Sequence, residues 1–205
     1  MEKKTVVLCD DHNIVRAGLR QIVESFGDFE VLADVESGEA LFPLFKKQTP
    51  DLLLLDISLP GRSGLEVLKQ IQAMYPSIAV LALSMYPEDQ FAIRMIKAGA
   101  RGYLHKDSAP QVLEDAMRTI AEGKQFISAE LTRLMIEEMA KDDNDLPHKS
   151  LSDREYEVFL AIGEGKANNV IADQLKLSAK TISTYRSRIL QKMNMENNSD
   201  MIKYI

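Results

Sequence analysis

The sequence predicts an α/β domain on a parallel sheet, then a connector, then an all-helical domain. Up to about residue 122, short apolar runs alternate with amphipathic segments of helical period. A polar, proline-bearing stretch runs from Lys141 to Ser150, and beyond it only helical periodicity remains. The α/β domain is expected over 1–127, the connector over 128–148 and the helical domain over 149–205.

The pattern places strands at 5–9, 30–35, 51–55, 78–83 and 101–105, and helices at 13–26, 38–47, 64–74, 88–98 and 109–122. Four consecutive leucines in Asp51-Leu-Leu-Leu-Leu-Asp56 read as a central strand buried on both faces. Gly27, Gly64, Gly99 and Gly102 fall where turns or helix ends are expected. Ser128 is placed to cap a further helix from 129 to about 140, with Leu131, Leu134, Met135 and Met139 along one stripe. In the last domain Ser152-Asp-Arg-Glu155 has capping-box form and opens a helix to about residue 164, closed by Gly163 and Gly165. A short helix over 168–175, a tight turn at Lys176-Leu177-Ser178, a long helix over 179–193 and a last one over 199–205 follow.

Composition narrows the classes of function. No apolar stretch approaches the ~20 residues of a membrane span, and the first residues run into a strand rather than a signal-peptide core, so a cytoplasmic protein is expected. The lone Cys9 suits a reducing compartment and reads as a small buried hydrophobe. Its three histidines offer no zinc-ligand spacing, and His12 reads as a loop side chain rather than a base. Charge is uneven. Residues 1–127 carry 14 Lys+Arg against 18 Asp+Glu, residues 128–148 carry 2 against 6, and residues 149–205 carry 9 against 7. An acidic body with a mildly basic C-terminal end fits a division of labour in which the end meets nucleic acid.

The first domain's chemistry lies where its strands stop. The runs ending at Cys9, Leu55, Leu83 and His105 are followed by Asp10-Asp11, Asp56, Ser84 and Lys106. In an open parallel sheet, ligands bind just beyond the carboxyl ends of the strands. Three carboxylates, a hydroxyl and an ammonium are therefore expected in one crevice. Clustered carboxylates favour a bound cation, and all-oxygen ligation with retained water suits Mg²⁺. With Lys106 neutralising one phosphoryl oxygen and Ser84 bonding another, Asp56 is placed to act as a nucleophile and form an aspartyl phosphate. An enzyme working on external phosphoesters through such an intermediate often has a second Asp two residues on as general acid. Ser58 stands there.

In the long C-terminal helix, Ile182, Tyr185, Ile189 and Met193 gather on one arc, with Arg186 and Leu190 at its edges. The opposite arc carries Lys180, Ser183, Thr184, Ser187, Arg188 and Gln191. Short hydroxyls flanked by cations suit a major groove, the hydroxyls reaching base edges while the cations hold phosphates. A short helix, a turn and a longer helix is the helix-turn-helix arrangement. The weak basic balance keeps a second reading open, in which these helices bind another protein.

On these residues the chain resembles the two-component response regulators of the NarL/FixJ (LuxR-type) family. Asp10, Asp11, Asp56, Ser84 and Lys106 match the five signature positions of the receiver domain. The segments Leu151-Ser-Asp-Arg-Glu155, Ile162-Gly-Glu-Gly165, Ile171-Ala172 and Lys180 to Leu190 match the four-helix effector. The resemblance implies a flavodoxin-like fold with strand order 2-1-3-4-5 and phosphorylation of Asp56 by a sensor histidine kinase. It also implies Mg²⁺ held by Asp11, Asp56 and the Ser58 carbonyl, with Asp10 acting through water, and Tyr103 as a switch aromatic that answers Ser84. Ser58 and Tyr86 fall where the family varies the lifetime of the phosphorylated state. The output implied is binding of double-stranded DNA through Lys180, Thr181, Ser183, Thr184, Arg186, Ser187, Arg188 and Lys192, with dimerisation on activation. The last helix is the family's dimer contact, with Met201, Ile202 and Ile205 as candidate residues. The chain departs from the family in four places. Asp107 rather than proline follows Lys106, so no cis bond is expected there. Asn169-Val170 replaces a Lys-Glu pair, Ser183 a frequent lysine and Tyr185 a common histidine.

Overall fold

Leu52–Leu55 sit at the centre of β3 (Leu52–Asp56), every residue of which is buried. β1 (Lys4–Cys9) lies on one side of it and β4 (Ala79–Ser84) on the other. β2 (Phe29–Val35) flanks β1 and β5 (Gly102–His105) flanks β4, giving one five-stranded parallel sheet of order β2-β1-β3-β4-β5. The computed structural model describes residues 3–139 and 147–204. The chain divides into two compact units, Met1–Met139 and Ala140–Ile205.

The sheet is buried on both faces because its side chains alternate. Val6, Leu8, Leu52, Leu54, Leu81 and Leu83 form one core layer with α1 (Asn13–Ser25) and α5 (Pro110–Ala121). Their neighbours Val7, Leu53, Leu55, Val80 and Ala82 are equally buried. Right-handed crossovers put α2 (Gly38–Phe45), α3 (Gly64–Met74) and α4 (Glu88–Lys97) over that second face. Each buried leucine contributes about 2 kcal/mol. The helix expected over 38–47 stops two residues early, at the buried Phe45. Lys46 and Lys47 have no apolar side to bury and close the helix with turn hydrogen bonds instead.

The connector helix α6 (Ala129–Met139) belongs by its contacts to the first unit. Ser128 caps it by accepting the Leu131 N–H at 2.9 Å, Leu131 is buried, and Glu138 pairs with Lys97 of α4 at 2.8 Å. The polar stretch predicted from Lys141 lies outside the described residues as far as Leu146. Pro147–Ser150 then forms one 3-10 turn rather than open chain, with the His148 ring tilted against Tyr156 and meeting Tyr204 edge-on.

The second unit contains α7 (Asp153–Gly163), α8 (Asn168–Gln174), α9 (Ala179–Met193) and α10 (Asn198–Tyr204). The capping box predicted at Ser152 and Glu155 forms in both directions. Val158, Phe159, Ile171, Ile182, Ile189 and Met201 are buried. Met201, a candidate dimer residue, is thus committed to its own unit, where α10 packs on α7, while Ile202 stays half exposed. Ile205 lies outside the described residues. Among the described residues no helix is long and apolar enough to cross a membrane.

Candidate functional site

Strand register brings the acidic crevice together. β1 and β3 pair Cys9 with Leu55, so the next residues, Asp10 and Asp56, emerge level with each other. β3 and β4 pair Asp56 with Leu83, and β4 and β5 pair Ser84 with His105, which sets Ser84 and Lys106 one step further out. The Lys106 ammonium lies 2.6 Å from Asp10 Oδ2 and 2.8 Å from Asp56 Oδ2. Asp10 and Asp56 are each 1% exposed and Ser84 is fully buried. Asp10 Oδ1 accepts the His12 N–H at 2.8 Å, and Asp56 Oδ1 accepts the Ser58 N–H at 3.1 Å. Asp11 stands 2.8 Å from the His12 imidazole, and oxygens of Asp10, Asp11 and Asp56 and a nitrogen of His12 fall within 4.8 Å of one another.

One buried ammonium against three carboxylates leaves negative charge in excess, and the carboxylates are hard oxygen donors. The set fits a hard divalent cation, with His12 at its exposed edge. Burial pushes the Asp56 carboxyl up, outweighing the lowering by the Lys106 ammonium, and the Asp10 charge adds to the rise. Burial works against the Lys106 ammonium, but Asp56 and Asp10 outweigh it and hold its pKa above the ordinary lysine value. Burial also pushes the Cys9 thiol up, reinforced by Asp56 and Asp10, so the cysteine stays an inert hydrophobe.

The start of α3 can pass this close to Asp56, the last residue of β3, only because residue 64 is glycine. A Cβ there would lie 2.3 Å from the Asp56 carbonyl oxygen and 2.6 Å from Ile57 Cα. The Gly64 N–H donates to the Ile57 carbonyl at 2.8 Å, and Ser63 with Glu66 forms a capping box at the start of α3.

From Ser84 a line of contacts leads away from the crevice. Its hydroxyl accepts the Tyr86 N–H at 2.9 Å, and the Tyr103 hydroxyl donates to the Tyr86 carbonyl at 2.6 Å. Tyr103 is 1% exposed, and burial raises its phenol's pKa despite the nearby Ser84 hydroxyl, so it stays neutral. Two residues past Tyr86, Glu88 opens α4 and accepts a hydrogen bond from Ser128, the cap of α6.

In the second unit, Ser178 caps α9 by accepting the Thr181 N–H at 3.0 Å. Lys176 adopts φ 51° in the turn before it, and the Leu177 N–H donates to the Ala172 carbonyl at 2.8 Å. Lys180, Ser183, Thr184, Ser187 and Arg188 are exposed, and Lys180, Thr181, Thr184, Tyr185 and Arg188 line a shallow surface concavity.

Known proteins with the same features agree. Residues 6–118 match the family model of the response regulator receiver domain, and residues 149–205 match that of bacterial regulatory proteins of the luxR family. The chain belongs to the NarL/FixJ family of response regulators. It is 32% identical over 197 residues to the response regulator UvrY of Escherichia coli, covering 96% of this chain and 90% of that one. It is 31% identical over 207 residues to the oxygen regulatory protein NreC of Staphylococcus epidermidis, covering 97% and 95%. A solved structure of RcsB from Salmonella enterica serovar Typhimurium, bound to promoter rprA in the presence of phosphomimetic BeF3-, matches with a TM-score of 0.67 at 27% identity, over 99% of this chain and 98% of that one. This response regulator therefore joins a flavodoxin-like receiver to a LuxR-type DNA-binding output domain.

The structure brings Asp10, Asp11, Asp56, Ser84 and Lys106 into one neighbourhood, with Tyr103 one contact beyond. It treats the α9 residues unequally. Lys192 reaches back to Glu155 at 2.6 Å and to the Ser150 carbonyl at 3.3 Å, and Arg186 donates to Asn198 at the start of α10. Those two cations hold the helices of the domain together, whereas Lys180 and Arg188 have no ion-pair partner among the described residues. Sequence reasoning passed over three residues. His12 reads as a loop side chain, yet its backbone and ring both meet the acids. Gly64 read as ordinary turn punctuation, and Glu88 read as the start of a helix. A contact between Glu88 and Ser128, 40 residues apart, leaves no local pattern to find.

Proposed function

We propose that a sensor histidine kinase phosphorylates Asp56 in the cytoplasm and that this modification controls sequence-specific binding of double-stranded DNA by α9. The observation that carries the reading is the Lys106 ammonium, which touches Asp56 and Asp10 together at the end of the central strands. In the transfer, an Asp56 carboxylate oxygen forms the new bond to phosphorus as the phosphorus–nitrogen bond of a phosphohistidine breaks, and the imidazole leaves with the electron pair and takes up a proton. Lys106 and the Ser84 hydroxyl meet the phosphoryl oxygens. Asp10, Asp11, Asp56 and the Ser58 carbonyl would hold Mg²⁺, which neutralises phosphoryl charge when bound. The receiver, 1–127, thereby catalyses only its own phosphorylation and dephosphorylation.

Phosphorylation adds about −1.5 to −2 charges beside Ser84. The contacts from Ser84 through Tyr86 and Tyr103 to Glu88 and Ser128 offer a route from that charge to α6, the start of the connector 128–148, with Tyr103 as the switch. On DNA, contact falls to Lys180, Thr181, Ser183, Thr184, Ser187 and Arg188 of the 149–205 domain. Dimerisation on activation suits a two-fold-related site. The test is incubation with a small-molecule phosphodonor and Mg²⁺. The expected result is one added phosphoryl group per chain by intact mass, absent in Asp56→Asn and absent when Mg²⁺ is chelated. Equal uptake by Asp56→Asn refutes the assignment.

A further inference from the structure

Three exposed residues of α9 have hydroxyls already engaged by the helix itself. Ser183 Oγ donates to the Ala179 carbonyl at 3.0 Å, Thr184 Oγ1 to the Lys180 carbonyl at 3.0 Å, and Ser187 Oγ to the Ser183 carbonyl at 3.1 Å. A carbonyl has no proton to give, so in each pair the hydroxyl supplies its only one. What each side chain still offers outward is lone pairs. The residues lie four and three apart along the helix, so they share one face.

Major-groove edges differ in what they offer such a face. Adenine and cytosine present an exocyclic amine, which donates. Guanine and thymine present only acceptors, with a methyl on thymine. An acceptor facing an acceptor gains no hydrogen bond and desolvates both groups. Turning a hydroxyl outward to donate would give up its bond to the carbonyl. Donors on this face come instead from Lys180 and Arg188, which suit phosphate oxygens or guanine.

We infer that Ser183, Thr184 and Ser187 are specificity-determining acceptors, and that the bases they face in the bound duplex are adenine or cytosine, recognised through the N6 or N4 amine. The inference rests on α9 being the DNA-contacting helix. It adds which chemical group on the base each hydroxyl reads.

The test selects duplexes from a random pool with the full chain plus Mg²⁺ and beryllofluoride, and repeats the selection with Ser183→Ala, Thr184→Val and Ser187→Ala. These substitutions lie on an exposed helix face, and unchanged circular dichroism and thermal midpoint check the fold. The expected result is that each variant relaxes preference at a position occupied by adenine or cytosine. At that position, adenine replaced by purine, or cytosine by 2-pyrimidinone, lacks the amine. The analogue should weaken wild-type binding by roughly 3- to 10-fold and leave the matching variant unaffected. Relaxed positions holding guanine or thymine overturn the inference, as does a set of variants that all select the wild-type sequence with wild-type affinity. Analogues that bind wild type as well as the parent base overturn it too. If no duplex is enriched by any protein, the DNA-contact reading of α9 falls and the inference falls with it, an outcome distinct from enrichment that ignores the hydroxyls.

Discussion

The crevice around Asp56 and the outer face of α9 are built in opposite ways. The crevice assembles five side chains from four strand ends, and its charges are buried and touching. The α9 face comes from one continuous segment, its groups are exposed, and their spacing follows from the helix alone. A site made by long-range register cannot tolerate a backbone shift. A site on one helix survives as long as its helix stays docked, and it spends little fold stability on its function.

Gly64→Ala should break the comparison hardest. A Cβ placed 2.3 Å from the Asp56 carbonyl meets backbone, which cannot turn aside. Destabilisation of about 3 kcal/mol is expected, read as an early transition in urea unfolding of the first unit and accompanied by loss of phosphoryl uptake. An Arg188→Ala change of the same kind on α9 should leave stability within about 0.5 kcal/mol while weakening DNA affinity and flattening its salt dependence by about one counterion.

The second domain has charged contacts of its own, and pH probes the one between Glu155 and Lys192. Burial opposes the Glu155 carboxylate, but the Lys192 ammonium and the Ser152 N–H outweigh it and hold its pKa below the ordinary value. A group lowered on folding stabilises above its unfolded pKa, about 4.3 for Glu, and that stability is lost as pH falls through the lower folded value. Lys192→Met should therefore cost about 1 kcal/mol at pH 7 and progressively less below pH ~4, measured as thermal midpoint against pH. A constant difference across that range would mean that Lys192 does not stabilise the domain through the Glu155 carboxylate.

Ser128→Ala removes the cap of α6 and its hydrogen bond to Glu88. Loss of about 1 kcal/mol is expected, seen as faster amide exchange confined to α6 and the first turn of α4. Undisturbed exchange in α4 would disconnect the connector from the switch segment. One further effect has the opposite sign. With Mg²⁺ chelated, Asp56→Asn relieves repulsion among three carboxylates and should raise stability by roughly 1 kcal/mol. A fall instead would mean that the Lys106 pair outweighs the repulsion.

Legibility in the sequence followed the same division. Leu52–Leu55, the helix periods and the caps at Ser128, Ser152 and Ser178 are local patterns, and the elements they predict form within a residue or two. The five crevice residues were legible because each lies on the last residue of its strand or within two residues beyond it, so knowing the strands locates them. The outer arc of α9 was legible because helical period alone sets which residues share a face. The partners of its cations were not, since Lys192 meets Glu155 and Arg186 meets Asn198 only when other helices dock beside it. Met201 reads as an apolar residue on a short terminal helix, and only packing on α7 tells an inward side from a partner-facing one.

By itself the amino-acid order determined the identity and sequence of elements, because hydrophobic period and capping act over a turn or two. It also determined which chemical groups stand at the strand ends. Tertiary structure decided the distances: that one ammonium spans Asp10 and Asp56, that residue 64 has room for hydrogen alone, and that α6 is fastened to Glu88. Those follow from register and close packing between segments far apart in the chain, where a shift of one residue changes every neighbour.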